Sequence, residues 1–143
     1  MKNQEIAQLF FEEFLGEKAT AFLALPQSGS ARMNFIGKSS NETYVITYNE
    51  NILENEAFFY FTQIFSDLKL NTPQIFKINE ERKFYIQEFL GEKTLSEIIT
   101  LEGESERVKS LVKQTLKHLF ELQEKTQNSI DFSKTFEYEK YDE

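Results

Sequence analysis

Cysteine and tryptophan are missing from this 143-residue sequence, histidine occurs once and proline twice. Without cysteine there is no disulfide framework, no thiol nucleophile and no thiolate metal site. A single histidine, His118, leaves no Ser-His-Asp arrangement and no His-rich metal set. Positive charge is scarce: 16 Lys and Arg face 24 Asp and Glu, a net charge of −8 with a pI near 4.8. General nucleic-acid or anionic-membrane binding, which needs a positive surface, is not expected. No apolar run approaches the roughly 20 residues of a membrane helix. The opening stretch carries Glu12 and Glu13 where a signal peptide would be apolar. A cytoplasmic protein is expected.

What is abundant is aromatic. The chain is 40% hydrophobic and 15% aromatic, with 15 Phe, which points to a packed core rather than disorder. A single domain of this size buries roughly 68–70% of its unfolded surface. Ile6, Leu9, Phe10 and Phe14 recur at helical spacing before Gly16 and predict an amphipathic helix over 4–15. Short apolar runs at 21–25 and 33–36 flank the loop Pro26-Gln27-Ser28-Gly29-Ser30, and the β-branched and aromatic stretch 43–48 predicts a third strand in an antiparallel meander. Asn51, three residues before Glu54, reads as a helix cap, followed by a stripe of Ala57, Phe58, Phe61, Ile64, Phe65 and Leu68. Strands at 74–78 and 83–90 surround the turn Asn79-Glu80-Glu81. A short helix is expected at 94–99, then a longer one capped by Ser105, with Val108, Leu111, Val112, Leu116, Leu119 and Phe120 along one face. The tail from Asp131 has no defensible period.

Four motifs stand in a fixed order: Leu25-Pro26-Gln27-Ser28-Gly29-Ser30-Ala31-Arg32 on the first hairpin, Glu54-Asn55-Glu56-Ala57-Phe58 opening the helix, Pro73 before the fourth strand, and Gln87-Glu88-Phe89-Leu90-Gly91 closing the fifth. With this order of elements the chain resembles the N-terminal lobe of the aminoglycoside/choline/amino-sugar phosphotransferases, and most of all bacterial relatives of the cell-wall amino-sugar kinases. The resemblance implies an α+β, kinase-like small lobe. Residues 1–92 would carry the opening helix, a five-stranded antiparallel sheet and one packed helix. Residues 93–143 would form connector helices and a tail leading to a larger lobe.

The resemblance further implies that Ser28, Gly29 and Ser30 lie over the phosphates of ATP, and that main-chain groups of Glu88, Phe89 and Leu90 hold the adenine edge. Small loop residues let backbone N–H groups approach an anion; the same tripeptide would also make an ordinary polar hairpin turn, and 87–91 an ordinary strand-ending turn. Kinase-like lobes carry a third-strand lysine on the phosphates, paired with a helix glutamate. Here that strand reads Tyr44-Val45-Ile46-Thr47-Tyr48, without lysine. Arg32 is the nearest substitute cation and Glu54 the corresponding glutamate; their alternatives are a solvated hairpin arginine and a capping glutamate, and capping is the reading preferred for Glu54. The catalytic Asp and the Mg²⁺-binding Asn and Asp of the family would lie on the larger lobe, after residue 143. The chain alone is therefore expected to bind nucleotide weakly, to transfer no phosphate, and to self-associate through its C-terminal half. Asp131-Phe132-Ser133 only superficially resembles a metal-binding Asp-Phe-Gly. The rival reading is a stand-alone, non-catalytic interaction module.

Overall fold

A computed structural model describes residues 2–27 and 29–136; Ser28 and the tail beyond Phe136, including Tyr138, lie outside the described residues. Helix α1 spans Lys2–Leu15, strands β1, β2 and β3 span Ala21–Ala24, Met33–Lys38 and Thr43–Tyr48, and helix α2 spans Ile52–Asp67. Strands β4 and β5 cover Ile75–Ile78 and Phe84–Glu88, and helices α3 and α4 cover Leu95–Glu102 and Glu106–Thr126. The chain is thus α+β, with one antiparallel sheet in the order β1-β2-β3-β5-β4.

Each face of the sheet receives a helix. On one face Ala7 and Phe11 of α1 join Phe35, Ile46, Phe84 and Ile86 in a fully buried cluster. The buried face of α1 therefore centres on Ala7 and Phe11, one step round the helix from the predicted stripe, and leaves Ile6 and Leu9 exposed. Gly37 explains the choice. A Cβ there would sit 2.5 Å from Phe11 Cε1 and 2.8 Å from Ile46 Cδ1, so only glycine lets the Phe11 ring lie against β2. Gly16, at φ +72°, ends α1 in the left-handed conformation and donates its N–H to the Glu12 carbonyl at 2.9 Å. The Glu12 carboxylate then accepts from Lys18 Nζ at 2.8 Å and the Ala19 N–H at 3.2 Å, shaping the entry to β1.

On the other face α2 lays Phe58 and Phe59 against Tyr85 of β5, with ring centroids 5.4 and 5.1 Å apart. Asn51 caps α2 as expected, its Oδ1 accepting from the Glu54 N–H at 3.2 Å. The buried positions of α2 are Asn55, Ala57, Phe59 and Thr62, so the apolar stripe is only partly the buried face. The cause is polar. Asn55 is wholly buried and its Nδ2 donates to the carbonyls of Asn49 at 2.9 Å and Arg82 at 2.8 Å, which rotates α2 about this anchor.

Thr94 and Glu97 form a reciprocal capping box on α3, and Ser105 caps α4 through the Val108 N–H. The two helices pack on each other. Of the stripe predicted on α4 only Val108 is buried, while Leu116, Leu119 and Phe120 stand exposed. A short 3-10 turn, Phe132–Lys134, follows, and the Asp131 N–H donates to Tyr60 Oη at 2.8 Å, tying this end to α2.

Candidate functional site

The loop between β1 and β2 is drawn together by its own side chains. Ser30 Oγ accepts from the Arg32 N–H at 3.2 Å, and Gln27 Nε2 donates to the Arg32 carbonyl at 3.4 Å. Gly29 holds φ +65°, a conformation that favours glycine, and a Cβ there would meet nothing within 4 Å. Its backbone faces open space. Ser28 belongs to this loop by sequence and lies outside the described residues.

At the foot of the loop, Arg32 reaches across to α2. Its Nη2 lies 2.5 Å from Glu54 Oε1, each side chain 29% exposed, and its guanidinium carbon lies 5.6 Å from the centre of the Phe58 ring. Glu54 Oε2 accepts from Asn49 Nδ2 at 3.0 Å. The carboxylate of Glu54 thus does not cap its own helix. Its backbone N–H is capped by Asn51, and the Asn51 N–H is taken by Asn49 Oδ1 at 3.2 Å, which frees the carboxylate for the cation. The Arg32–Glu54 pairing that the resemblance suggested is present; the capping role preferred for Glu54 on sequence grounds falls to the side chains of Asn51 and Asn49.

Thr47 stands in mid-β3, opposite Asn34 on one side and Tyr85 on the other. Its Oγ1 donates to Asn34 Oδ1 at 2.7 Å and accepts from Gln87 Nε2 at 3.0 Å, a polar line across three strands beneath α2. Burial raises the Tyr85 phenol above its ordinary range, and the neighbouring Arg32 charge opposes that rise. One row further along the same face, Leu23, Ile36, Val45 and Gln87 are successive register partners. Leu23 is 59% exposed and Ile36, Val45 and Gln87 are half-buried, so this strip opens progressively toward β1.

The strip ends at the β5 connector, which is shorter than the sequence suggested. Gln87 and Glu88 still belong to β5, and the Glu88 N–H donates to the Gln74 carbonyl at 2.9 Å. Phe89 and Leu90 follow the last paired residue, and among the described residues no hydrogen bond engages their N–H groups. Leu90 is 66% exposed and Gly91 turns the chain at φ +118°. The structure therefore brings Arg32 and Glu54 into contact, sets the Gly29–Ser30 turn beside them, and places Phe89 and Leu90 at the far end of an open apolar strip.

The line Asn34, Thr47 and Gln87, with Asn49 and Tyr85, was not singled out in the sequence. A signal existed for Asn34, the one amide in the run Met33-Asn34-Phe35-Ile36; nothing local announced its partners. Two polar groups noted in the sequence, Asp131 and His118, have local partners. Asp131 Oδ1 accepts from the Ser133 N–H and hydroxyl, which holds its carboxyl below the usual range, so it is a cap. His118 is half-exposed on α4, with Nδ1 3.7 Å from Glu121 Oε2. Among the described residues no three His, Asp or Glu side chains gather where they could hold a metal ion, and no helix is long and apolar enough to cross a membrane. No protein-family model matches the chain, and no curated protein matches it.

Proposed function

We propose that this chain is the nucleotide-holding small lobe of a phosphotransferase of the aminoglycoside/choline/amino-sugar type, working with a catalytic unit that residues 1–143 do not supply. The observation that carries the reading is the Arg32–Glu54 pair, which joins the foot of the glycine loop to the first turn of α2. A cation held there by a helix carboxylate, on a sheet whose third strand carries no lysine, would supply the fixed positive charge that phosphates need. Guanidinium carries five donors and Glu54 occupies one, so Arg32 can serve anion and carboxylate together.

ATP fits the remaining surface by its chemistry. Its phosphates would meet the backbone of the Gly29–Ser30 turn and Arg32, and its base would lie on Leu23, Ile36 and Val45 with its edge at the N–H groups of Phe89 and Leu90. Residues for Mg²⁺ are a different matter. Glu54 is engaged by Arg32 and Asn49, and no second carboxylate joins it, so the described residues do not fit a metal and no step is assigned to one here.

Calorimetric titration with ATP tests the reading: weak, saturable binding is expected, reduced several-fold in Arg32→Ala, with no phosphate transferred to amino sugars or aminoglycosides. Absence of binding at millimolar nucleotide would favour the interaction module instead. That second reading draws on the exposed Leu116, Leu119 and Phe120 of α4, a face suited to a partner lobe or a second copy of the chain.

A further inference from the structure

Helix α4 is anchored near its ends and open in its middle. Val108 and Thr126 are buried, whereas residues 113–120 are exposed without exception, a stretch of about two turns. That stretch is not polar. Leu116 is 60% exposed, Leu119 49% and Phe120 62%, and spacings of three and four residues set them side by side on one stripe. Apolar side chains grouped in this way gain from being covered.

Charge is distributed unevenly along the same helix. Arg107, Lys109, Lys113 and Lys117 occupy its first part, and Glu121 and Glu124 follow the stripe. Arg107 is held by Glu102 at 2.7 Å, Lys109 by Glu106 at 3.4 Å, and Glu121 stands 3.7 Å from His118. Lys113 and Glu124 are exposed and, among the described residues, have no ion-pair partner. At 3.6 residues per turn they lie about three whole turns apart, on the same flank of the apolar stripe.

Stripe and charges together select the occupant. Two copies of α4 laid parallel would set Lys113 against Lys113 and Glu124 against Glu124. Laid antiparallel about a two-fold axis near His118 and Leu119, like flanks meet. Each Lys113 would then face Glu124 of the second copy, and Leu116, Leu119 and Phe120 would cover their own counterparts.

We propose that α4 is a homodimer surface, pairing antiparallel with α4 of a second copy through Leu116, Leu119 and Phe120 and bracketed by two Lys113–Glu124 ion pairs. An interface of about two turns per helix is at the low end of specific contacts, so the dimer is weak and its charges set orientation more than strength. The pairing is independent of the nucleotide reading, which uses the sheet and the loop between β1 and β2.

Sedimentation equilibrium of the full chain, without nucleotide, at low salt and up to millimolar protein, tests the pairing by charge exchange. Lys113→Glu and Glu124→Lys each bring like charges together at both contacts and should raise the dimer dissociation constant about tenfold, the effect of reversing two exposed ion pairs. Both exchanges in one chain recreate the pairs and should return the constant to within about twofold of the parent's. An equimolar mixture of the two single variants should likewise recover association, because the mixed dimer regains both pairs. Each exchange swaps one good helix former for another at an exposed position, and circular dichroism checks that the fold is kept. Glu124→Lys also lowers the overall negative charge, so association governed by net charge alone would tighten there instead. No dimer at millimolar protein, single exchanges without effect, a double exchange as weak as the single ones, or tighter association of Glu124→Lys would each overturn the proposal.

Discussion

Removing Arg32 and Glu54 singly and together isolates the contact on which the proposed function rests. Opposite charges about 4 Å apart attract by about 4 kcal/mol at an effective dielectric near 20, before desolvation and side-chain ordering are subtracted. Exposed pairs retain about 0.2–1 kcal/mol, and hydrogen bonds to charged groups about 1.5–3 kcal/mol. With both side chains 29% exposed and held at 2.5 Å, this pair falls between those classes, and a coupling of about 1.5 kcal/mol is expected. Arg32→Ala also loses the contact over Phe58, and Glu54→Ala removes a carboxylate from the first turn of α2; each should cost about 2 kcal/mol. The double variant should then lose only about 2.5 kcal/mol, because the shared contact is counted once. Urea unfolding followed by circular dichroism, with an unchanged m-value, provides the three numbers. A coupling below about 0.3 kcal/mol, the ordinary scatter of additive pairs, would show that the two groups do not act together in solution.

Gly37→Ala should destabilise the chain by about 1–3 kcal/mol, since its Cβ would overlap the Phe11 ring and the Ile46 methyl, and a Phe11→Leu background should recover part of the loss. Acid should weaken the fold through Glu12 and Glu50. The first is held below the ordinary range by Lys18 and Gln8, the second by Lys83 and Tyr48. Because these folded values are lowered, the stability they confer is complete above the unfolded value near 4.3 and is lost as pH falls through it toward the folded ones. Carboxyl NMR titrations with midpoints at or above about 4.3 would contradict this. Light scattering should show concentration-dependent association that Leu116→Glu combined with Phe120→Glu removes; a clean monomer across the series in moderate salt would refute association through α4.

Helix caps and strand runs were legible because their signals are local. Asn51 and Ser105 mark helix starts within three residues of chain, and the β-branched and aromatic run at 43–48 matched β3, whereas Thr94, expected as the first helical residue, is the cap of α3. Which face of a helix is buried was less legible, because that depends on the partner. Leu9 looked as apolar as Phe11, and only the space at Gly37, 26 residues on, decides between them. The aromatic helix α2 offered several faces, and the buried Asn55 amide, through carbonyls of Asn49 and Arg82, fixed one of them. The Arg32–Glu54 contact was suggested by resemblance rather than by spacing. The polar line of Asn34, Thr47 and Gln87 could not be read at all before the register of three strands was known.

The most direct test of nucleotide holding is a residue-resolved one. In an amide NMR titration of the full chain with ATP, the Gly29, Ser30 and Arg32 resonances should move together with those of Phe89 and Leu90, with one shared saturation curve. The shifts of the first group should shrink in Arg32→Ala while those of Phe89 and Leu90 persist at higher nucleotide concentration. Shifts confined to α4 around His118, or a connector and loop that stay still while other residues saturate, would contradict the placement of the nucleotide on this face of the sheet.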